Sequence, residues 1–310
     1  MQETREAVLD ALADGPVSGP DLAERLDVSR TAVWKHVEAL RDAGFEVGST
    51  AEGYELVSVP EFGGPAVEFG LEAPCTVEYH ETIDSTNRRA RELAETGAED
   101  VVVLADEQSG GRGRLDREWA SPSGGIWLSV LLRPGVPPTR APAFTLAAAV
   151  ATARAVRGAG VDASIKWPND VLVGDRKLAG ILTEMEGEAD RVSWLIVGVG
   201  INANVDASEL PGDRPATTLR EEVGGVDRRG VTQSLIEEFY RLSQDTDEIL
   251  AAWQELSSTL GRRVRIQTAG EEIIGGAVDV RFPGTLVVET EEGTREVSAG
   301  DCEHLRSPGR

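Results

Sequence analysis

"VVVLADEQSGGRGRLDREW", residues 101–119, joins an apolar run to a loop of glycines and arginines. The run 101–108 is short and rich in valine, which predicts a buried strand. Beyond it, Gly110, Gly111 and Gly113 let backbone approach a ligand closely. Arg112, Arg114 and Arg117 offer rigid forks of donors that match carboxylate and phosphate. A buried strand that ends in such a loop predicts an α/β sheet carrying an anion site. A solvated turn and an RNA-binding Gly/Arg element are the plainer alternatives. The loop occurs once, between a buried strand and a segment led by Trp119, and this speaks against both.

The basic loop stands in an acidic chain. Its 310 residues carry 54 acidic and 31 basic side chains, a formal charge of −23 that predicts a soluble surface repelling nucleic acid and anionic lipid. The length predicts two or three folded units, and 40% hydrophobic residues suffice for a core. No apolar run is long enough to cross a bilayer, and the charged N-terminus predicts no targeting segment. Two cysteines, Cys75 and Cys302, make neither a disulfide framework nor a metal spacing, and they suit a reducing cytoplasm. Lysine is nearly absent, with only Lys35, Lys166 and Lys177 present. An acidic, lysine-poor surface predicts a halophilic setting, in which charge is screened within a few ångströms.

Outward from the loop, strands and helices alternate. Residues 75–83 read as a strand, 84–97 as a helix begun by Asp84 or Ser85, and 125–134 as a strand. A long alanine-rich helix follows over 141–160. Residues 163–187 read as two strands around the Gly174-Asp175 turn, 192–204 as one more, and 231–261 as closing helix. From 262 onward short alternating strands predict a small β-barrel. At the other end, residues 1–60 read as three helices, the second and third begun by Ser18 and Ser29, and then a hairpin. That order resembles a winged helix-turn-helix. Ser29, Arg30 and Lys35 are its candidate DNA contacts, since Arg30, Lys35 and Arg41 outnumber Glu38 on the third helix. The unit's five basic and twelve acidic residues keep a protein-docking module open as the alternative. The expected organisation is thus α+β: a winged helix at 1–60, a linker at 61–74, a mixed α/β unit at 75–260 and a barrel at 261–310.

Three further segments carry chemistry. In "SIKWPNDVLVGDRKLAGILTEME", 164–186, two of the three lysines fall close together beside Asn169 and Asp170. A compact ammonium can follow a developing phosphate oxyanion; the plain reading is an edge-strand lysine whose tip reaches solvent. Ser85, Thr86 and Asn87 place two hydroxyls and an amide at a helix start, an array suited to a neutral ligand with donors and acceptors. In "VGVGINAN", 197–204, the glycines leave room for a flat ring and Asn202 can read a base edge.

Taken in order, "STN", "DEQSGGRGRLDREWASPSGGIWLSVLLRP", "KWPNDVLVGDRKLAGILTE" and "VGVGINAN" resemble the biotin protein ligases. The flanking winged helix and small Src-homology-type barrel are similar to those of the bifunctional members that repress biotin operons. The resemblance implies a two-step reaction, in which ATP and biotin give biotinyl-5'-AMP and pyrophosphate before biotin passes to a lysine of a carboxyl carrier domain. It implies biotin contacts from Ser85, Thr86, Asn87 and Gln108, and a loop of Arg112, Gly113 and Arg114 over the carboxylate and phosphate. Lys166 would stand beside both reacting groups and count with them among the biotin contacts. Trp119 and Asn202 fall where the family meets ATP. Mg2+ is implied with the nucleotide, and operator DNA and a second copy of the chain are implied as partners. Leu115-Asp116-Arg117 departs from the family's Arg-Gly-Arg and predicts a stiffer, less basic loop. Two rivals stay open: a lipoate or octanoate ligase, and a biotin-sensing regulator without catalysis.

Overall fold

The computed structural model describes residues 3–212 and 215–305. They form two compact units, one ending at Glu72 and the other beginning at Ala73.

In the first unit α1 (Glu3–Ala13), α2 (Gly19–Arg25) and α3 (Arg30–Asp42) precede a hairpin of β1 (Glu46–Ser49) and β2 (Tyr54–Ser58). Both expected caps form: Ser18 Oγ accepts the amide of Asp21 at 3.2 Å and Ser29 Oγ that of Ala32 at 3.1 Å. Val33, Val37 and Leu40 recur at helical spacing and pack on Val8, Leu9, Leu12, Leu22 and Phe45. The opposite face of α3 presents Arg30, Thr31, Lys35 and Trp34, the last 52% exposed. Arg41 is not part of that face. Its guanidinium holds Glu38 Oε1 at 2.7 Å, Val47 O at 2.7 Å and Ser49 Oγ at 3.2 Å, so it braces the hairpin. The stretch expected as a linker is folded: α4 (Gly64–Glu68) buries Ala66 and Val67, and Phe69 meets Phe45 edge-on at 6.2 Å. Apolar side chains at 66, 67 and 69 explain why this segment joins the core instead of extending.

The second unit is built on β3 (Thr76–Ile83), α5 (Thr86–Glu95), β4 (Val101–Gln108), β5 (Ile126–Leu132), α6 (Pro142–Gly158), β6 (Ala163–Lys166), β7 (Asp170–Val173), β8 (Arg176–Gly187) and β9 (Val192–Ile201). The seven strands make one sheet in the order β3-β4-β5-β9-β8-β7-β6, in which only β3 and β4 run parallel. Where two strands were expected over 163–187 there are three. The turn at Trp167–Asn169 reverses the chain before the Gly174-Asp175 turn does, with the Trp167–Pro168 bond cis. Successive residues of a strand face opposite sides, which places the helices. Thr183 Oγ1 lies 2.8 Å from Thr145 of α6, whereas Glu184 accepts from Asn87 of α5 at 2.7 Å. Hence α5 and α6 cover opposite faces.

After the short helix α7 (Leu219–Val223), the closing helical stretch is two helices, α8 (Arg228–Ser243) and α9 (Thr246–Leu256), both packed on α6. The C-terminal segment expected as a small barrel is a five-stranded antiparallel sheet. It consists of β10 (Arg263–Gln267), β11 (Glu272–Arg281), β12 (Thr285–Thr290), β13 (Gly293–Val297) and β14 (Asp301–His304), in the order β13-β12-β11-β10-β14.

Candidate active site

One row of residues runs straight across the main sheet on the face covered by α5. Ala105, Trp127, Gly200, Gly180, Asp170 and Lys166 are successive cross-strand partners on β4, β5, β9, β8, β7 and β6. At about 4.8 Å per strand, Lys166 lies roughly 14 Å from Gly200 along this row. The two central glycines make a floor on which Trp119 lies. A Cβ at Gly200 would come within 2.5 Å of the Trp119 indole nitrogen, and one at Gly180 within 3.2 Å of the same ring. The ammonium of Lys177 sits 4.9 Å from the ring centroid and pairs with Asp170 at 2.5 Å.

In the next row Gly198 lies under Asn87, whose Oδ1 would be only 2.2 Å from an added Cβ. Here the sequence-predicted polar groups form a single network. Gln108 Oε1 accepts the Thr86 amide at 2.8 Å and the Thr86 hydroxyl at 3.1 Å. Asn87 Nδ2 donates to Glu184 at 2.7 Å, and Gln108 Nε2 to Ser121 Oγ at 2.9 Å. Ser129 Oγ lies 2.7 Å from Thr86 Oγ1 and 2.6 Å from Asn87 Oδ1. Ser85 occupies the helix start and is buried, yet its hydroxyl makes no capping bond. The first α5 amide is satisfied instead by Gln108 from β4, while Asp84 Oδ1 accepts the Ser85 amide at 2.5 Å. Neither Asp84 nor Ser85 therefore caps α5 in the expected way. Ser129 was missed, although a lone hydroxyl in the apolar run "IWLSVLL" was a usable signal.

The Gly/Arg loop folds back on itself. Trp119 N donates to Gly111 O at 3.0 Å, Gly113 N to Arg117 O at 2.8 Å, and Arg112 pairs with Glu118 as an isolated bridge. Leu115 at the tip has φ 57°, a left-handed conformation uncommon outside glycine. The side chain of Asp116 lies outside the described residues. Arg114 donates to Asn169 Oδ1 at 3.0 Å and to Gly300 O at 2.9 Å. Burial pulls its guanidinium below its ordinary value, and Asp301 and Asp170 oppose this. Arg117 pairs with Asp301. The loop is thus moored to the turn that follows Lys166 and to the edge of the C-terminal sheet.

Lys166 ends β6 half-buried, and its ammonium makes no hydrogen bond or ion pair among the described residues. Asn202 is buried and spends its amide donor on Thr217 O at 3.1 Å, which holds 215–219 against the sheet. Among the described residues no three His, Cys, Asp or Glu side chains cluster to hold a metal.

This geometry defines a ligase-type domain, with a polar cradle at one end of the row, a cationic strand end at the other and an arginine loop moored near the latter. Residues 79–202 match the biotin/lipoate A/B protein ligase family, 4–55 a helix-turn-helix domain, and 259–305 the biotin protein ligase C-terminal domain. The chain is 38% identical over 303 residues to the bifunctional ligase/repressor BirA of Bacillus subtilis, covering 93% of each. It is 34% identical over 236 residues to a biotin–[acetyl-CoA-carboxylase] ligase of Mycobacterium tuberculosis, covering 72% of this chain and 86% of that one. Among solved structures, the biotin protein ligase of Aquifex aeolicus in complex with biotin and ATP superposes with a TM-score of 0.64 at 29% identity. That match covers 74% of this chain and 99% of that one. The chain belongs to the biotin protein ligase family.

Proposed function

We propose that the protein is an ATP-dependent biotin protein ligase whose N-terminal unit binds operator DNA. A biotin carboxylate oxygen attacks the α-phosphorus of ATP, forming a P–O bond as the bond to pyrophosphate breaks. An acceptor lysine amine then attacks the acyl carbon, forming the amide as AMP leaves and the amine gives up a proton. The observation that carries this reading is the network over Gly198. Thr86, Asn87, Gln108 and Ser129 together offer the donors and acceptors a ureido ring needs, whereas the dithiolane of lipoate needs none of them.

Two anions must be brought together, so fixed cations at the other end of the row have an evident task. Lys166 lies beside both reacting groups, and Arg112 and Arg114 with Gly113 close over them. Ser85 completes the polar wall, Trp119 offers a ring face to the nucleotide, and Asn202 holds the adjoining segment in place. A site excluded from water preserves the mixed anhydride until a carrier domain arrives. The described residues offer no dedicated Mg2+ cage, which fits an ion brought in by the ATP phosphates and their water.

Pyrophosphate exchange with biotin and lipoate as competing acids tests the catalytic half. Exchange is expected with biotin and at least tenfold less with lipoate, in line with the cost of leaving buried polar groups unpaired; a lipoate preference overturns the assignment.

For the DNA-binding half, Ser29 is the cap of α3, and Arg30 and Lys35 lie on its exposed face. No acidic residue falls between Arg30 and Val37, in a unit that is otherwise acidic. Binding to duplex carrying the upstream region of a biotin operon is expected to tighten with biotin and ATP present. It should fall with salt along a shallow slope, because the exposed face of α3 offers the phosphates two cations, Arg30 and Lys35. Binding that ignores both ligand and sequence rules this role out. The carrier domain and a second copy of the chain are the remaining proposed partners. Cytoplasmic residence and a high-salt setting fit the acidic, lysine-poor composition. Among the described residues no helix is long and apolar enough to cross a membrane.

A further inference from the structure

Among the described residues the Lys166 ammonium has no hydrogen bond or ion pair to aim it, so the peptide units on either side set the direction in which its side chain leaves the strand. Both are clamped by residues 257–259, the link between α9 and the C-terminal sheet. Ile165 O accepts the Ser258 amide at 2.8 Å and the Ser258 hydroxyl at 3.1 Å. Trp167 N donates to Thr259 Oγ1 at 2.9 Å, and the Trp167 indole donates to Gly284 O at 2.9 Å. Thr259 is fully buried and Trp167 only 1% exposed. Behind Thr259, at 3.0 Å from its hydroxyl, lies Nε2 of His304 on β14.

We propose that His304, acting through Thr259, is a positioning residue that holds Lys166 in line for adenylate formation. This rests on the ligase reading above. A threonine hydroxyl has one proton and can turn about its bond to carbon. If its proton goes to His304 Nε2, the lone pairs of Oγ1 are left facing the Trp167 amide, and the backbone after Lys166 is locked. That requires a neutral imidazole with its proton on Nδ1. Its surroundings favour this: burial first, then the Lys166 and Arg262 cations, against one opposing carboxylate, Asp175, push the His304 pKa down to about 4. A charged imidazole could only donate, and the hydroxyl would lose the acceptor that orients it. The C-terminal sheet thus acts on the reaction without touching substrate.

The test compares Thr259→Val, which keeps shape but removes the hydroxyl, with Thr259→Ser, which restores it, and with His304→Phe. Biotin-dependent pyrophosphate exchange is the readout, with kcat and KM separated. Thr259→Val and His304→Phe are expected to lower kcat on the order of 10- to 100-fold, the scale of a small misplacement of a reacting group. The KM for biotin stays within about twofold, because the polar network lies at the far end of the row. Thr259→Ser recovers kcat, and the double variant Thr259→Val/His304→Phe is no worse than Thr259→Val alone. Near-normal kcat in Thr259→Val, a Thr259→Ser variant as slow as Thr259→Val, or additive losses would each overturn the relay. Should Thr259→Val not fold, His304→Phe set against His304→Gln decides, since glutamine retains an acceptor: equal kcat in the two refutes the proposal. A wild-type chain without biotin-dependent exchange refutes the ligase reading itself, before any variant is made.

Discussion

Replacing Lys166 by alanine is expected to cut biotin-dependent pyrophosphate exchange by roughly 10²- to 10³-fold, the loss typical of removing one preorganised charge stabiliser. Its ammonium is the cation of the main-sheet row and has no ion partner among the described residues, whereas the nearby Lys177 is already committed to Asp170 at 2.5 Å. A carboxylate approaching the α-phosphate therefore has Lys166 as its available counter-charge on the sheet itself. Stability should barely change, because a half-exposed side chain without partners contributes within about 0.5 kcal/mol. Exchange and thermal melting on the same sample separate the two effects. Exchange near the wild-type level would remove Lys166 from the chemistry, and a large drop in melting temperature would make the loss structural. Lys166→Arg is a poor substitute, since a planar fork cannot follow the moving charge as a compact ammonium does.

The parts of this site that were legible in the sequence are those whose signal is local. Gly198 and Gly200 stand out because glycine weakens a strand interior unless something must approach it closely, and both do lie under other side chains. The Gly/Arg loop and the Lys-Trp-Pro-Asn-Asp turn are visible for the same reason, as residue types out of keeping with their surroundings. What was not legible depends on register. That Gly200, Gly180, Asp170 and Lys166 fall in one row follows only from four strands pairing in a particular alignment, which no local periodicity encodes. Nor does anything near His304 announce that it backs Thr259, 45 residues earlier. The extra strand over 163–187 was missed because β6 and β7, only 4 residues each, are short enough to read as one strand across that turn. The folded linker was missed because proline and glycine mask the apolar spacing of Ala66, Val67 and Phe69. On α3, counting Arg41 toward a basic recognition face failed because charge alone does not say where a long side chain is tethered.

The remaining large effect concerns release of the reactive intermediate. Arg114→Gly is expected to let biotinyl-adenylate escape, so that lysines of bystander proteins become labelled. In the wild-type protein Arg114 ties the loop to Asn169 Oδ1 at 3.0 Å and to Gly300 O at 2.9 Å. Two hydrogen bonds to a charged donor are each worth about 1.5–3 kcal/mol. Losing both frees the loop at the end that faces Lys166, and the added glycine widens its range of conformations. Arg117 still pairs with Asp301, so the loop hinges open on that contact and is not released altogether. Adenylate formation should persist, because Lys166 and the polar network are untouched, while dissociation of the adenylate rises on the order of 10- to 100-fold, allowing for part of the two bonds being recovered by water. The measurement is label on a lysine-rich bystander set against label on a carrier domain in the same tube. A variant that modifies the carrier domain alone, with adenylate held as long as in the wild type, would show that Arg114 does not keep the loop closed. A variant that forms no adenylate would instead assign Arg114 to the first chemical step, as a charge on the α-phosphate and not as a mooring.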